Sequence, residues 1–338
     1  MSAFQNHDFT NAEQFIQFLR LSGDTWRTSN EYRSGWIFRG QNDEAYRLIP
    51  SAFRRPAGSY LESWRNHAAK RYAHRNWQDW AQVPVTYAPA DVKETALDAL
   101  AHADLIRRFA LFADYVSHPV TIEPYLWHLP SEEVKEWSLP EKKDSSSAIA
   151  RLHKSKGSCS ALALIVNGGL ENLNVQMFAI AQHHRIPTQF LDWTYNPLVA
   201  AYFAADPRAT STRIAVWALR EQLFDFQWDI KRMTVKAGVT PFLDAQEGLF
   251  IWCPDAYLLR LENGGYLNFD DMICNMDSDV RSLNVPRPFL IKATLPRSQV
   301  VPLLKLLWRE RVTPAHLMPT FDNIRTALEI ETEYFLDP

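Results

Sequence analysis

Three segments of this chain hold polar residues in places where burial without a partner would be costly. The first is Trp36-Ile37-Phe38-Arg39-Gly40-Gln41. A guanidinium that ends an apolar run needs a carboxylate, a phosphate or several carbonyls. Arg39 therefore either pairs with a core carboxylate such as Asp192 or binds a phosphate, and Gly40 lets the backbone approach a ligand closely. The second is 181–205, AQHHRIPTQFLDWTYNPLVAAYFAA, which gathers Gln182, His183, His184, Thr188, Asp192 and Thr194 around an expected strand and the start of a helix. A helix N-terminus preceded by Thr and Asp can hold an anion or position a hydroxyl donor. Neighbouring side chains point apart on a helix or strand, and no Cys or carboxylate stands at ligand spacing to His183 and His184. No metal is expected of that pair; one of them is either a hydrogen-bonded site residue or a satisfied core histidine. The third is Ala245-Gln246-Glu247-Gly248-Leu249-Phe250-Ile251. Its polar pair opens an apolar strand and could face a cleft; by spacing alone it is a strand-opening turn with a solvated glutamate. Glu329 and Glu331, an E-x-E in an acidic C-terminal stretch, read as a solvated end.

Positioning these residues requires strands and helices that the apolar pattern places. Strands are expected over 35–39, 188–192, 213–219, 248–253 and 289–295. Helices are expected over 9–22, 92–117, 174–184 and 197–205, the last started by Asn196-Pro197; another begins at a Ser298 cap and runs to about 310. Residues 58–80 are amphipathic and basic. Across Arg54–Arg75 the positive charges Arg54, Arg55, Arg65, Lys70, Arg71 and Arg75 face Glu62 alone, so this stretch would be the phosphate contact if the partner were nucleic acid, and is otherwise a solvated helical face. Residues 121–173 read as an insertion. Short strands alternating irregularly with helices indicate an α+β fold with a mixed or antiparallel sheet flanked by helices, rather than a doubly wound sheet. The chain reads as a single domain over 1–338, with its core at about 30–330 and a helical basic segment at 54–120.

Composition narrows the chemistry. The 338 residues are 46% hydrophobic and 22% charged, enough for a large core in a soluble chain. With 11 glycines, none in G-x-G-x-x-G or G-x-x-x-x-G-K-[ST], a Rossmann fingerprint and a P-loop are excluded, as are H-E-x-x-H and G-x-S-x-G. A formal charge of −3 argues against a polycation built for nucleic acid. Three scattered cysteines, no leader pattern and no apolar run of spanning length make a cytoplasmic protein with no membrane contact the expectation.

Taken in order, these segments resemble the FRG domain family, named for its (F/Y)-R-G motif. Here that motif is Phe38-Arg39-Gly40, followed by Leu48-Ile49-Pro50-Ser51 and Arg54. The central block is similar at Gln182-His183-His184-x-Ile186-Pro187-Thr188, Leu191-Asp192-Trp193-Thr194, Asn196-Pro197 and Ala200-Ala201-Tyr202-Phe203-Ala204; the later Q-x-G-x-F element is similar at Gln246–Phe250. Arg185 stands where the family often has glycine. The three-part layout is also remotely similar to ADP-ribosyltransferases, which implies a split sheet and NAD as substrate. On that resemblance Arg39, Gly40, Gln41, Ser51, Gln182 and Thr188 would bind NAD, Arg39 taking the pyrophosphate. Thr194 would orient the ribose, and Gln246 or Glu247 would fill the third position; with Gln246 there, His183, His184 or Asp192 would be the base. The acceptor would be a protein or nucleic acid, and an antitoxin or inhibitor partner is implied for a toxin or phage-defence effector. The alternative is a nucleotide- or nucleic-acid-binding module without catalysis.

Overall fold

The computed structural model describes residues 2–27, 34–54, 60–74, 76–77, 87–115, 175–225, 229–234, 245–253, 256–266, 268–275 and 286–336. The expected insertion at 121–173, and Arg55 and Arg75 of the basic stretch, lie outside them.

Seven strands form one mixed sheet. In chain order they are β1 (Phe4–Asp8), β2 (Trp36–Gln41), β3 (Leu191–Thr194), β4 (Arg213–Arg220), β5 (Lys231–Met233), β6 (Gly248–Trp252) and β7 (Leu290–Pro296). Their spatial order is β1-β7-β4-β2-β3-β6-β5; β1 runs parallel to β7 and every other pairing is antiparallel. All five expected strands share this sheet. The second of them, β3, begins at Leu191, three residues later than expected, because Thr188 and Phe190 bond to side chains and to the 51–53 turn instead of a ladder. The sheet is continuous, but its centre is uneven: β2 and β4 pair over six residues, whereas β2 and β3 are joined at Phe38↔Thr194 alone.

Strand alternation sends successive side chains to opposite faces, and both faces are covered. On one face Ile37, Leu191, Trp193, Trp217 and Leu290 meet helices α2 (Tyr60–Arg71), α3 (Pro89–Tyr115), α4 (Val175–His183), α6 (Ala256–Asn263) and α7 (Phe269–Asn275). On the other, Phe38, Val216, Ala218 and Ile291 meet α1 (Ala12–Leu19), α5 (Pro197–Ala204), α8 (Val300–Arg309) and α9 (Pro314–Leu317), with α10 (Phe321–Ile330) behind them. Among the described residues no helix is long and apolar enough to cross a membrane.

Local rules explain most helix ends. Asn11 caps α1 by accepting from the Gln14 N–H at 2.8 Å, and Asn196 caps α5 through the Leu198 N–H at 3.0 Å with Pro197 in the first turn. Ser298 does not cap α8. It sits in a 3-10 turn, Arg297–Gln299, that passes directly into the helix, and no side chain caps that helix. Glu331, expected to be solvated, accepts from the Trp308 indole at 3.0 Å, while Glu329 pairs with Arg325.

Candidate functional site

β2 carries the residue on which the site turns. Phe38 faces α5, and so does Gly40, whose Cα lies so close to that helix that an added Cβ would stand 1.9 Å from the Ala200 carbonyl oxygen. Arg39, between them, is thereby directed to the opposite face. There its Nη1 donates to the Asp192 main-chain oxygen at 2.7 Å and lies 3.6 Å from the Asp192 carboxylate. The Arg39 side chain is 14% exposed and its Nε is buried with no hydrogen-bond partner. Burial lowers its pKa, Asp192 opposes that, and nearby Arg54 reinforces it.

Arg54 and His183 complete this group. The Arg54 Nε donates to the Ile49 carbonyl at 2.9 Å, and its guanidinium lies within electrostatic reach of Tyr46 and Asp192. His183, the last residue of α4, has its pKa lowered by partial burial and by His184, with Asp192 acting the other way. It is therefore neutral near pH 7 and able to accept a proton. The Asp192 carboxylate, 58% exposed, is common to all three.

Thr194, Gln246 and Glu247 form a second group. Because Thr194 pairs with Phe38, it stands on the α5 face of the sheet, away from Arg39. Its hydroxyl donates to the Gln246 main-chain oxygen at 2.6 Å and accepts from the Asn196 N–H at 3.0 Å. The Gln246 side chain turns to the Leu317 carbonyl of α9, at 3.2 Å. Glu247 is exposed, has φ 48, and accepts from the Asn196 side-chain amide at 3.2 Å. Asp192, two residues back on β3, shares the side of Thr194 by the same alternation, and its contact with Arg39 links the two groups.

The remaining expected ligand residues hold the scaffold. Ser51 Oγ accepts from the Thr188 N–H at 3.1 Å and lies 3.3 Å from the Thr188 oxygen, while the Thr188 hydroxyl donates to the Gln182 side chain. This latch ties the 51–53 turn to the segment entering β3. Gln41 is buried, accepting from the Trp217 indole at 2.8 Å and donating to the Arg47 carbonyl at 3.3 Å. Arg185 has φ 61. Its N–H reaches Gln182 O and the Ile186 N–H reaches Ala181 O, both at 2.9 Å, so it fills the left-handed position of a helix-ending Schellman motif. In the basic stretch, Arg65 pairs with Glu94 and Asp98 of α3, and Arg71 lies 3.8 Å from Asp104. Among the described residues no three His, Cys, Asp or Glu side chains could hold a metal ion. Sequence reasoning missed Arg54, Asn196 and Tyr46 as site residues; the motif position of Arg54 and the N-cap position of Asn196 were the signals that could have found the first two.

The FRG domain profile matches residues 139–213. The chain carries an FRG domain. Of that match, the described part runs from α4 through β3 and α5 to the first residue of β4. It brings Gln182, His183, Thr188, Asp192 and Thr194 within the FRG domain; Phe38-Arg39-Gly40 precedes the matched stretch yet supplies the strand beside it. No curated protein and no solved structure matches the chain.

Proposed function

We propose that this FRG protein is an ADP-ribosyltransferase-like enzyme that cleaves NAD and passes ADP-ribose to a protein or nucleic-acid acceptor, with Arg39 and Arg54 holding the pyrophosphate. The observation that carries the reading is the Arg39 guanidinium: mostly buried, with an unpartnered Nε, beside a second guanidinium and only one exposed carboxylate. Two cations against Asp192 leave a net positive site for a diphosphate, and a planar fork suits its oxygens. In this reading Asp192 stabilises positive charge developing on the ribose as nicotinamide leaves, and neutral His183 takes the proton of the attacking group. Glu247 is the rival carboxylate. Asn196 orients it, whereas Asp192 is the carboxylate paired with Arg39.

Incubation with NAD, following released nicotinamide and label on candidate acceptors, tests the proposal. Arg39→Lys keeps the charge and loses the fork, so it is expected to abolish turnover nearly as completely as Arg39→Ala. Asp192→Asn is expected to lose activity and Glu247→Gln to keep it; the reverse pattern gives the role to Glu247. A folded, fully active Arg39→Lys enzyme refutes the assignment. The second reading, a nucleotide-binding module without turnover, is favoured by Thr194 and Gln246, whose side chains are committed to main-chain partners. It requires NAD binding with no nicotinamide release.

A further inference from the structure

Tyr46 stands next to this cluster, within electrostatic reach of Arg54. The residue is 51% exposed, and among the described residues no aromatic ring or cation stacks on it. The loop that carries it is nevertheless tightly anchored. Glu44 N–H donates to Arg213 O at 3.0 Å, Lys292 Nζ donates to Glu44 O at 2.6 Å, and the Tyr46 N–H reaches Asp43 O at 3.2 Å. One residue on, the Arg47 carbonyl accepts from Gln41, and its guanidinium is clasped by Asp270 and Asp271. An aromatic side chain kept out of the core by a pinned loop is a preorganised surface, and ordering it again on binding costs little. The loop leads from β2, which ends two residues after Arg39, to the turn from which Arg54 folds back onto Ile49.

The geometry points to Tyr46 as the platform on which the heterocyclic ring of a nucleotide stacks while Arg39 and Arg54 hold its phosphates. This rests on the nucleotide reading above and adds the part of the ligand that the guanidiniums cannot recognise. Any base offers a π-face, so the platform supplies affinity for a ring-bearing phosphate over a bare one.

Titration calorimetry of the full chain with ADP-ribose, ribose 5-phosphate and inorganic pyrophosphate tests it, because only the first carries a ring of this kind. Tyr46→Ala is expected to weaken ADP-ribose binding by about 5- to 150-fold, leaving the other two ligands and the thermal midpoint unchanged. Tyr46→Phe is expected to bind ADP-ribose like the parent. Unchanged ADP-ribose binding by Tyr46→Ala overturns the inference. So does an equal loss for pyrophosphate, which would place the effect on Arg54, or a Tyr46→Phe variant as weak as the alanine. If the parent chain binds none of the three ligands, the nucleotide reading fails, and this inference with it.

Discussion

Thr194 serves two main-chain groups at once, one of them two residues on and the other on the segment that opens β6. Its hydroxyl closes the turn into α5 through Asn196 and fastens the entry of β6 through Gln246. Thr194→Val keeps the shape and removes both bonds, leaving a carbonyl and an N–H in a largely buried place. The expected loss is about 1–3 kcal/mol in urea unfolding, with Thr194→Ser recovering most of it. The Arg39–Asp192 contact was legible in the sequence, because an arginine ending the run Trp36-Ile37-Phe38 must find an anion or carbonyls. The separation of Thr194 from Arg39 was not, since the face each residue takes depends on which strand pairs with which. The roles of Ser51, Gln182 and Thr188 were hidden for a related reason: polar side chains in a motif look alike whether they hold a ligand or one another.

At the scale of elements, β2 packs on α5 with no room for a side chain at Gly40. Gly40→Ala would drive a methyl into the Ala200 carbonyl and the Ala204 amide, which are backbone atoms that cannot rotate away. It is expected to destabilise by about 3 kcal/mol or more, read from the denaturation midpoint, and to displace the start of α5. Arg185 presents the opposite case. A left-handed conformation costs an ordinary residue about 1–2 kcal/mol, whereas glycine adopts it freely at some cost in chain entropy. Arg185→Gly is therefore expected to leave stability unchanged or raise it by up to ~1 kcal/mol, and Arg185→Val to lower it. The strands β2, β4, β6 and β7 could be read from their apolar runs. β1 and β5 could not: FQNHD and KRM are edge strands whose polar residues meet solvent. Nor could the pairing of α2 with α3, because the charges that neutralise Arg65 lie on another helix.

Over the whole molecule, mild acid should loosen the fold. His7 lies between Phe9 and Phe18, its Nε2 buried without a partner, and burial holds its pKa below the ordinary 6.5 while Asp8 opposes the shift. The unfolded chain then binds more protons than the folded one in that range, so stability falls as the pH drops from about 6.5 through the folded-state pKa. His183 shifts in the same direction. Asp8, whose pKa is lowered mainly by the Thr294 hydroxyl, acts in a separate and more acidic window. The urea midpoint is expected to be lower at about pH 5.5 than at about pH 7.5, and His7→Phe is expected to narrow that gap.

The place of β7 between β1 and β4 also bears on how the protein is made. A ribosome delivers β1, β2 and β4 long before residues 290–296, and until then β1 has no neighbour and β4 shows one open edge along Ile214–Leu219. The apolar edge of an incomplete sheet thus stays unpaired while residues 221–289 are made, the circumstance in which unpaired edges recruit chaperones or one another. Synthesis stalled before residue 290 should yield a species that holdases retain, and passage of β7 out of the exit tunnel should release it.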